Sequence, residues 1–260
     1  MQHVHCHGIA LEVRHIPAPQ TASAQAPLIF LHEGLGSVAM WTQRGLDWPL
    51  AVCRATGRAG WVYSRRGYGQ SDRPSDVRGA NALTPDYLHH EAWQVLPEFL
   101  NQIGIEKPVL LGHSDGASIA LLYASRHRVS ACMAMAPHVI VEDMSVAAIE
   151  LAKTAFEQGD LRQRLARFHA DVDTAFWQWN DIWLSPAFRP FDIRQTCQSI
   201  VDPVLALQGR QDAYGTLQQI NEIQTQGRIE RVVIEDCGHT PHRDQPDRAL
   251  ALVVDFLATL

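Results

Sequence analysis

Lysine is almost missing from this chain of 260 residues: Lys107 and Lys153 are the two it has. Basic residues total 22 against 28 acidic ones, a formal net charge of −6. So little positive charge leaves neither the electrostatic footprint of a nucleic-acid binder nor a polybasic membrane patch. No apolar run approaches the roughly 20 residues needed to cross a bilayer, so no membrane partner is expected. Residues Met1 to His7 lack the charged and apolar regions of a secretory signal. Cysteine is sparse and scattered (Cys6, Cys53, Cys132, Cys197, Cys237), with no C-x-x-C pair. That excludes a zinc ribbon and argues against a disulfide framework. Reduced thiols and a cytoplasmic setting are the expectation.

Apolar residues make up 46% of the chain, over a length that suits one large domain or a core with an inserted subdomain. Histidine is plentiful, at 13. His3, His5 and His7 alternate and would share one face of a strand beside Cys6. An edge strand brings ligands together poorly, and no second ligand cluster is visible, so no metal site is expected.

Val4 to Val13 alternates around Gly8 as a hairpin does, and Pro17 to Pro27 reads as a loop. A strand–helix rhythm follows. Leu28–Leu31, Trp61–Ser64, Pro108–Leu111, Val129–Ala136, Val204–Gln208 and Arg231–Glu235 are short apolar runs. Helical patterns cover Pro85–Ile103, with Thr84 as N-cap, then Ala117–Ala124 and Pro246–Leu260. Continuous apolar strands alternating with helices predict an α/β fold whose mostly parallel sheet is covered on both faces. The rhythm breaks over 137–197, which has helical patterns and no convincing strand. It also holds three of seven tryptophans and five of eight phenylalanines. The expected organisation is a core of 1–136 and 198–260 with a helical cap of 137–197.

The strongest local signal is Gly112-His113-Ser114-Asp115-Gly116, a G-x-S-x-G between an apolar strand and an apolar helix. A sharp turn there lifts the serine oxygen above the sheet, and flanking glycines relieve the crowding. The Asp115 backbone N–H, at a helix N-terminus, is placed to receive a developing oxyanion. Serine needs a base, and the base needs an orienting acid. Asp212 follows the run ending at Gln208, and His239 follows the run ending at Glu235. In a parallel sheet these ends share one edge, so Ser114, Asp212 and His239 can converge. Asp236 is too near His239 in sequence to reach its far side, and His242 reads as a polar residue at the entry to the last helix. His32 and His113 are read as turn-shaping, and the other ten histidines have no common centre.

These pieces, with His32–Ser37 and Arg66-Gly67-Tyr68-Gly69-Gln70-Ser71, make the chain resemble the α/β-hydrolase superfamily over essentially its whole length. The resemblance implies a serine hydrolase with a helical cap, a Ser114–His239–Asp212 triad and no cofactor. It also implies that Gly34 supplies the second oxyanion N–H, with Leu35 as the other choice. The family's usual His-Gly-x-x-Gly has Glu33 as its second residue here, either packed in the loop or touching substrate. The Asp115 carboxylate either caps its helix or faces the oxyanion hole. Trp177, Trp179 and Trp183 either pack the cap or line a site for an apolar or aromatic group, as Glu33 and Leu35 would. A small-molecule ester or related acyl compound is the expected substrate. A carbon–carbon bond hydrolase of the meta-cleavage-product type and a slow-turnover ligand receptor are the other two readings. Oligomeric state is not written in the sequence.

Overall fold

Alternate residues of Leu28–Leu31 feed opposite cores: Leu28 and Phe30 pack on one face of a sheet, Ile29 and Leu31 on the other. That is the signature of a strand covered on both sides. The computed structural model describes residues 2–19 and 25–260, so part of the Pro17–Pro27 segment lies outside the described residues. The central sheet has eight strands: β1 (Gln2–Cys6), β2 (Ile9–Ile16), β3 (Leu28–Leu31), β4 (Gly60–Tyr63), β5 (Val109–His113), β6 (Ala131–Met135), β7 (Val204–Gly209) and β8 (Ile229–Ile234). Their spatial order is β1-β2-β4-β3-β5-β6-β7-β8. The β1–β2 hairpin and the β2–β4 pair are antiparallel and all other neighbours are parallel.

Helices close both faces. They are α1 (Trp48–Thr56), α2 (Tyr87–His90), α3 (Leu96–Gln102), α4 (Asp115–Ala124), α5 (Asp143–Gln158), α6 (Leu161–Leu165), α7 (Val172–Leu184), α8 (Arg194–Cys197), α9 (Gln218–Asn221), α10 (Pro241–Asp244) and α11 (Pro246–Leu257). α1 and α11 share one core, and α4 lies against the other with all ten residues buried. α5 to α8 stand between β6 and β7, where the strand rhythm breaks. Among the described residues no helix is long and apolar enough to cross a membrane.

The expected helix over Pro85–Ile103 is corrected in two places. It starts at Tyr87, because the Thr84 side chain is engaged by Asp86 and its carbonyl closes a turn with the Tyr87 N–H. It is also interrupted by a π-turn, Glu91–Val95, two residues before Pro97. Proline has no N–H for the carbonyl four residues back, and its ring crowds that carbonyl, so the wider turn absorbs the misfit. The five cysteines are buried and unpaired.

Candidate active site

β5 sits between β3 and β6, with Leu31 opposite Gly112 and His113 opposite Met135. The chain then turns so sharply that Ser114 takes φ 54°, ψ −120°, a conformation that L-residues avoid. Glycine is required on the far side of the turn. A Cβ at Gly116 would lie 2.0 Å from the Leu31 carbonyl oxygen, part of a central strand that cannot move aside. Gly116→Ala is therefore expected to cost about 3 kcal/mol of stability or more, read from the urea midpoint. A change below about 0.5 kcal/mol would contradict this packing.

Ser114 Oγ lies 2.9 Å from His239 Nε2, and His239 Nδ1 lies 2.8 Å and 3.0 Å from the two Asp212 oxygens. The serine follows β5, the aspartate follows β7 and the histidine follows β8, so the same edge of the sheet holds all three. Asp212 also accepts from the Tyr214 N–H (2.7 Å) and the Gln208 amide (2.6 Å). Burial alone would raise its carboxyl, but the His239 hydrogen bond and charge and the Tyr214 N–H hold it below the usual range. An ionised Asp212 accepts only, which puts the proton on Nδ1 and leaves the Nε2 lone pair facing the serine. Asp236, the competing carboxylate, is exposed.

Two backbone N–H groups border the serine. Among the described residues neither the Gly34 nor the Asp115 N–H donates to a protein acceptor. The Asp115 side chain does not cap its helix. Its Oδ2 accepts from Tyr87 Oη at 2.8 Å and lies 3.5 Å from an Arg65 guanidinium nitrogen. Burial pushes the Asp115 carboxyl up, with Arg65 and Tyr87 opposing it. Glu33 is packed in the loop: it pairs with Arg243 at 2.7 Å and lies 3.5 Å from His113 Nδ1. Burial would raise the Glu33 carboxyl, and Arg243 and His113 more than reverse that.

Ser114 opens into a cavity of about 170 Å³, with Leu35, Trp179, Trp183, Ile149 and Tyr214 among its walls and Glu33, Gly34, Asp115, His239 and Arg243 also bordering it. Trp179 sits directly over Gly34, where a Cβ would come within 2.1 Å of the indole nitrogen. Trp177 is not part of this lining. Its ring packs on Phe156 and Phe176 with Arg78 over it. The reason is helical geometry: Trp179 and Trp183 are four residues apart on α7 and share a face, while Trp177 points elsewhere. A larger cavity, about 560 Å³, opens beside Arg65 and Tyr87 and contains none of Ser114, Asp212 and His239.

The histidines are less scattered than the sequence implies. His138 and His242 join His113 and His239, with ring centroids 4.8 to 5.6 Å apart. His138 borders the cavity and packs on Trp183. His242 is buried against the rings of Trp41 and Trp48 rather than at a polar helix entry. The missed signal for His138 is positional, three residues past the end of β6 on the site edge. Arg65 lies likewise just past β4, and its ion pair with Asp115 is the loop pairing such a position favours. Among the described residues no group of His, Cys, Asp and Glu could hold a metal ion.

Residues 28–252 match the model of the alpha/beta hydrolase family, and the chain belongs to that family. No curated protein sequence matches. Solved structures with the same fold include a bacterial membrane phospholipase A (TM-score 0.73, 17% identity, covering 99% of this chain and 85% of that one). An enol-lactonase from Burkholderia xenovorans LB400 is similar (0.71, 18%, 99% and 100%). So is a thermophilic esterase from Thermogutta terrifontis (0.71, 19%, 100% and 99%). The protein is an α/β-hydrolase enzyme.

Proposed function

We propose that this hydrolase cleaves carboxylic esters of small, uncharged substrates through Ser114, His239 and Asp212. The observation that carries the reading is the hydrogen-bonded line Ser114 Oγ–His239 Nε2, His239 Nδ1–Asp212, at a cavity walled by aromatic rings. His239 takes the serine proton as Oγ attacks the ester carbonyl carbon. The oxygen that becomes negative is received by the Gly34 and Asp115 N–H groups. The intermediate collapses, and His239 returns the proton to the departing alcohol. Water then enters and gives a proton to His239 as its oxygen attacks the acyl carbon. The second intermediate collapses, the bond to Ser114 Oγ breaks, His239 returns the proton to Oγ and the acid leaves, with Asp212 steadying the imidazolium each time it forms. An oxyanion donor contributes about 3–4 kcal/mol, and the acid–base step roughly 10²–10⁴ in rate.

The charges near the serine are already matched, Glu33 with Arg243 and Asp115 with Arg65, which suits a neutral substrate. The cavity is smaller than the roughly 300–1,000 Å³ that drug-sized ligands occupy. Residues 137–197 act as the cap, with His138, Ile149, Trp179 and Trp183 as its contribution to the cavity. A lactone is an internal ester, so the likeness to an enol-lactonase fits the same chemistry.

A panel of p-nitrophenyl esters tests this. Acetyl, butyryl and benzoyl esters are expected to exceed the dodecanoyl ester in kcat/KM by at least about tenfold, or ~1.4 kcal/mol. Turnover of a vinylogous 1,5-diketone without any ester turnover would assign the carbon–carbon reading instead. Stoichiometric labelling of Ser114 by a fluorophosphonate, together with no multiple turnover of any ester, would assign the receptor reading.

A further inference from the structure

The Gly34 N–H and the Glu33 carbonyl are the two ends of one planar peptide, so whatever fixes the carbonyl aims the N–H. Three donors converge on that carbonyl oxygen: His32 Nδ1 at 2.7 Å, Arg65 Nη2 at 3.0 Å and the Gly36 N–H at 3.0 Å. The backbone N–H of Arg65 donates to His32 Nε2 at 3.0 Å, which leaves Nδ1 as the protonated, donating nitrogen. Arg65 thus reaches the Glu33–Gly34 peptide twice, directly through its guanidinium and indirectly through His32.

The other arm of the same guanidinium, Nη1, lies 3.5 Å from Asp115 Oδ2. Asp115 is the residue that carries the other backbone N–H bordering the serine. Tyr87 Oη donates to the same carboxylate oxygen at 2.8 Å and accepts from Trp183 Nε1 at 2.9 Å. The Arg65 and Asp115 side chains are 7% and 1% exposed, so water does not compete for these bonds. Burial works against the Arg65 charge, but the facing Tyr68, Asp115 and Glu91 side chains outweigh it.

We infer that Arg65 is a positioning residue that sets both donors of the oxyanion hole, holding Gly34 through the Glu33 carbonyl and Asp115 through its carboxylate. The Tyr87–Trp183 bonds carry the clamp on to α7, whose Trp183 borders the cavity. The planar fork of arginine suits two acceptors in different directions, whereas a lysine ammonium is one point charge on a flexible stem. The inference rests on the proposed role of the Gly34 and Asp115 N–H groups.

Arg65→Lys and Tyr87→Phe test it, with kcat counted per active site by fluorophosphonate titration. The probe is an alkyl trifluoromethyl ketone. Ser114 Oγ bonds to its carbonyl carbon, the serine proton passes to His239, and the π electrons move to the oxygen that enters the hole. Arg65→Lys is expected to lower kcat by about 10–100-fold with KM nearly unchanged, less than the 10²–10³-fold of losing a donor outright. Tyr87→Phe, which loses the hydroxyl's two hydrogen bonds, to Asp115 and from Trp183, and keeps the charge pair, is expected to lower kcat by about fivefold. Affinity for the ketone falls in the same proportion in each variant, because the adduct resembles the transition state. A role in folding alone would lower the number of titratable sites and leave both per-site values intact. Wild-type kcat and ketone affinity in folded Arg65→Lys overturn the clamp. If the lysine variant does not fold, wild-type values in Tyr87→Phe overturn it instead. Ser114→Ala separates the two levels: activity persisting there removes the serine reading itself, independently of Arg65.

Discussion

Replacing Ser114 with alanine is expected to lower ester kcat by roughly 10⁴–10⁶-fold while leaving the fold and its urea midpoint almost unchanged. The change removes one oxygen that lies 2.9 Å from His239 Nε2, and nothing else in the hydrogen-bonded line moves. His239 then has no nucleophile to activate, and only binding and the oxyanion donors remain. Asp212→Asn is the informative companion. An amide can donate to Nδ1, so the imidazole can turn its proton toward the serine, and a loss of about 10⁴-fold follows with the geometry preserved. Full activity in Ser114→Ala would remove the proposed mechanism. Full activity in Asp212→Asn would leave the serine and histidine but take the orienting role from Asp212.

The second large effect is a loss of stability in mild acid. His32, His138 and His242 are each 3% exposed or less. Burial, the largest cause, lowers all three. His138 falls to about 3, helped by the His239 charge; His32 and His242 fall well below the usual value, helped by Arg65 for the first and by His113 and Arg243 for the second. Above pH 6.5 these rings are neutral whether the chain is folded or not. Below it the unfolded chain takes up protons that the folded chain refuses. Stability therefore falls with pH, by up to about 1.4 kcal/mol per unit for each histidine, from pH 6.5 toward 3. Asp115 and Glu91 have raised carboxyls and act in the opposite sense, from their usual range upward. The histidines outnumber them, so urea midpoints are expected to drop clearly between pH 7.5 and 5. His242→Phe, which keeps a ring against Trp41 and Trp48, should flatten the slope by about one proton. Equal midpoints at the two pH values would contradict buried neutral histidines.

What the sequence reveals and conceals follows from the range of the signals. β3, β5 and β7 are legible because a strand buried on both faces must be continuously apolar. The turn at Ser114 is legible because only glycine fits beside Leu31. Asp212 is legible because it closely follows such a strand, and His239 because it follows the apolar run of the edge strand β8. The fate of a buried polar side chain is a different matter, since its partners arrive from distant segments. Nothing near Asp115 in sequence announces Tyr87 or Arg65, and nothing near His138 announces Trp183. Trp177 fails for a simpler reason: neighbours in a helical sequence occupy different faces. Pro97 foreshadows the π-turn, but the width of that turn depends on how the preceding residues pack.

The cysteines acquire a use from their burial. Each thiol is pushed up, Cys6, Cys53, Cys197 and Cys237 to about 12, so the folded protein presents almost no thiolate. An alkylating reagent must wait for the surrounding structure to open. Cys6 lies in the edge hairpin, Cys53 in α1, Cys132 in a central strand, Cys197 at the end of the inserted helices and Cys237 two residues before His239. The chain therefore carries five clocks, one per region, and peptide-resolved alkylation rates would time the breathing of the sheet, the insertion and the histidine loop separately in the unmodified enzyme.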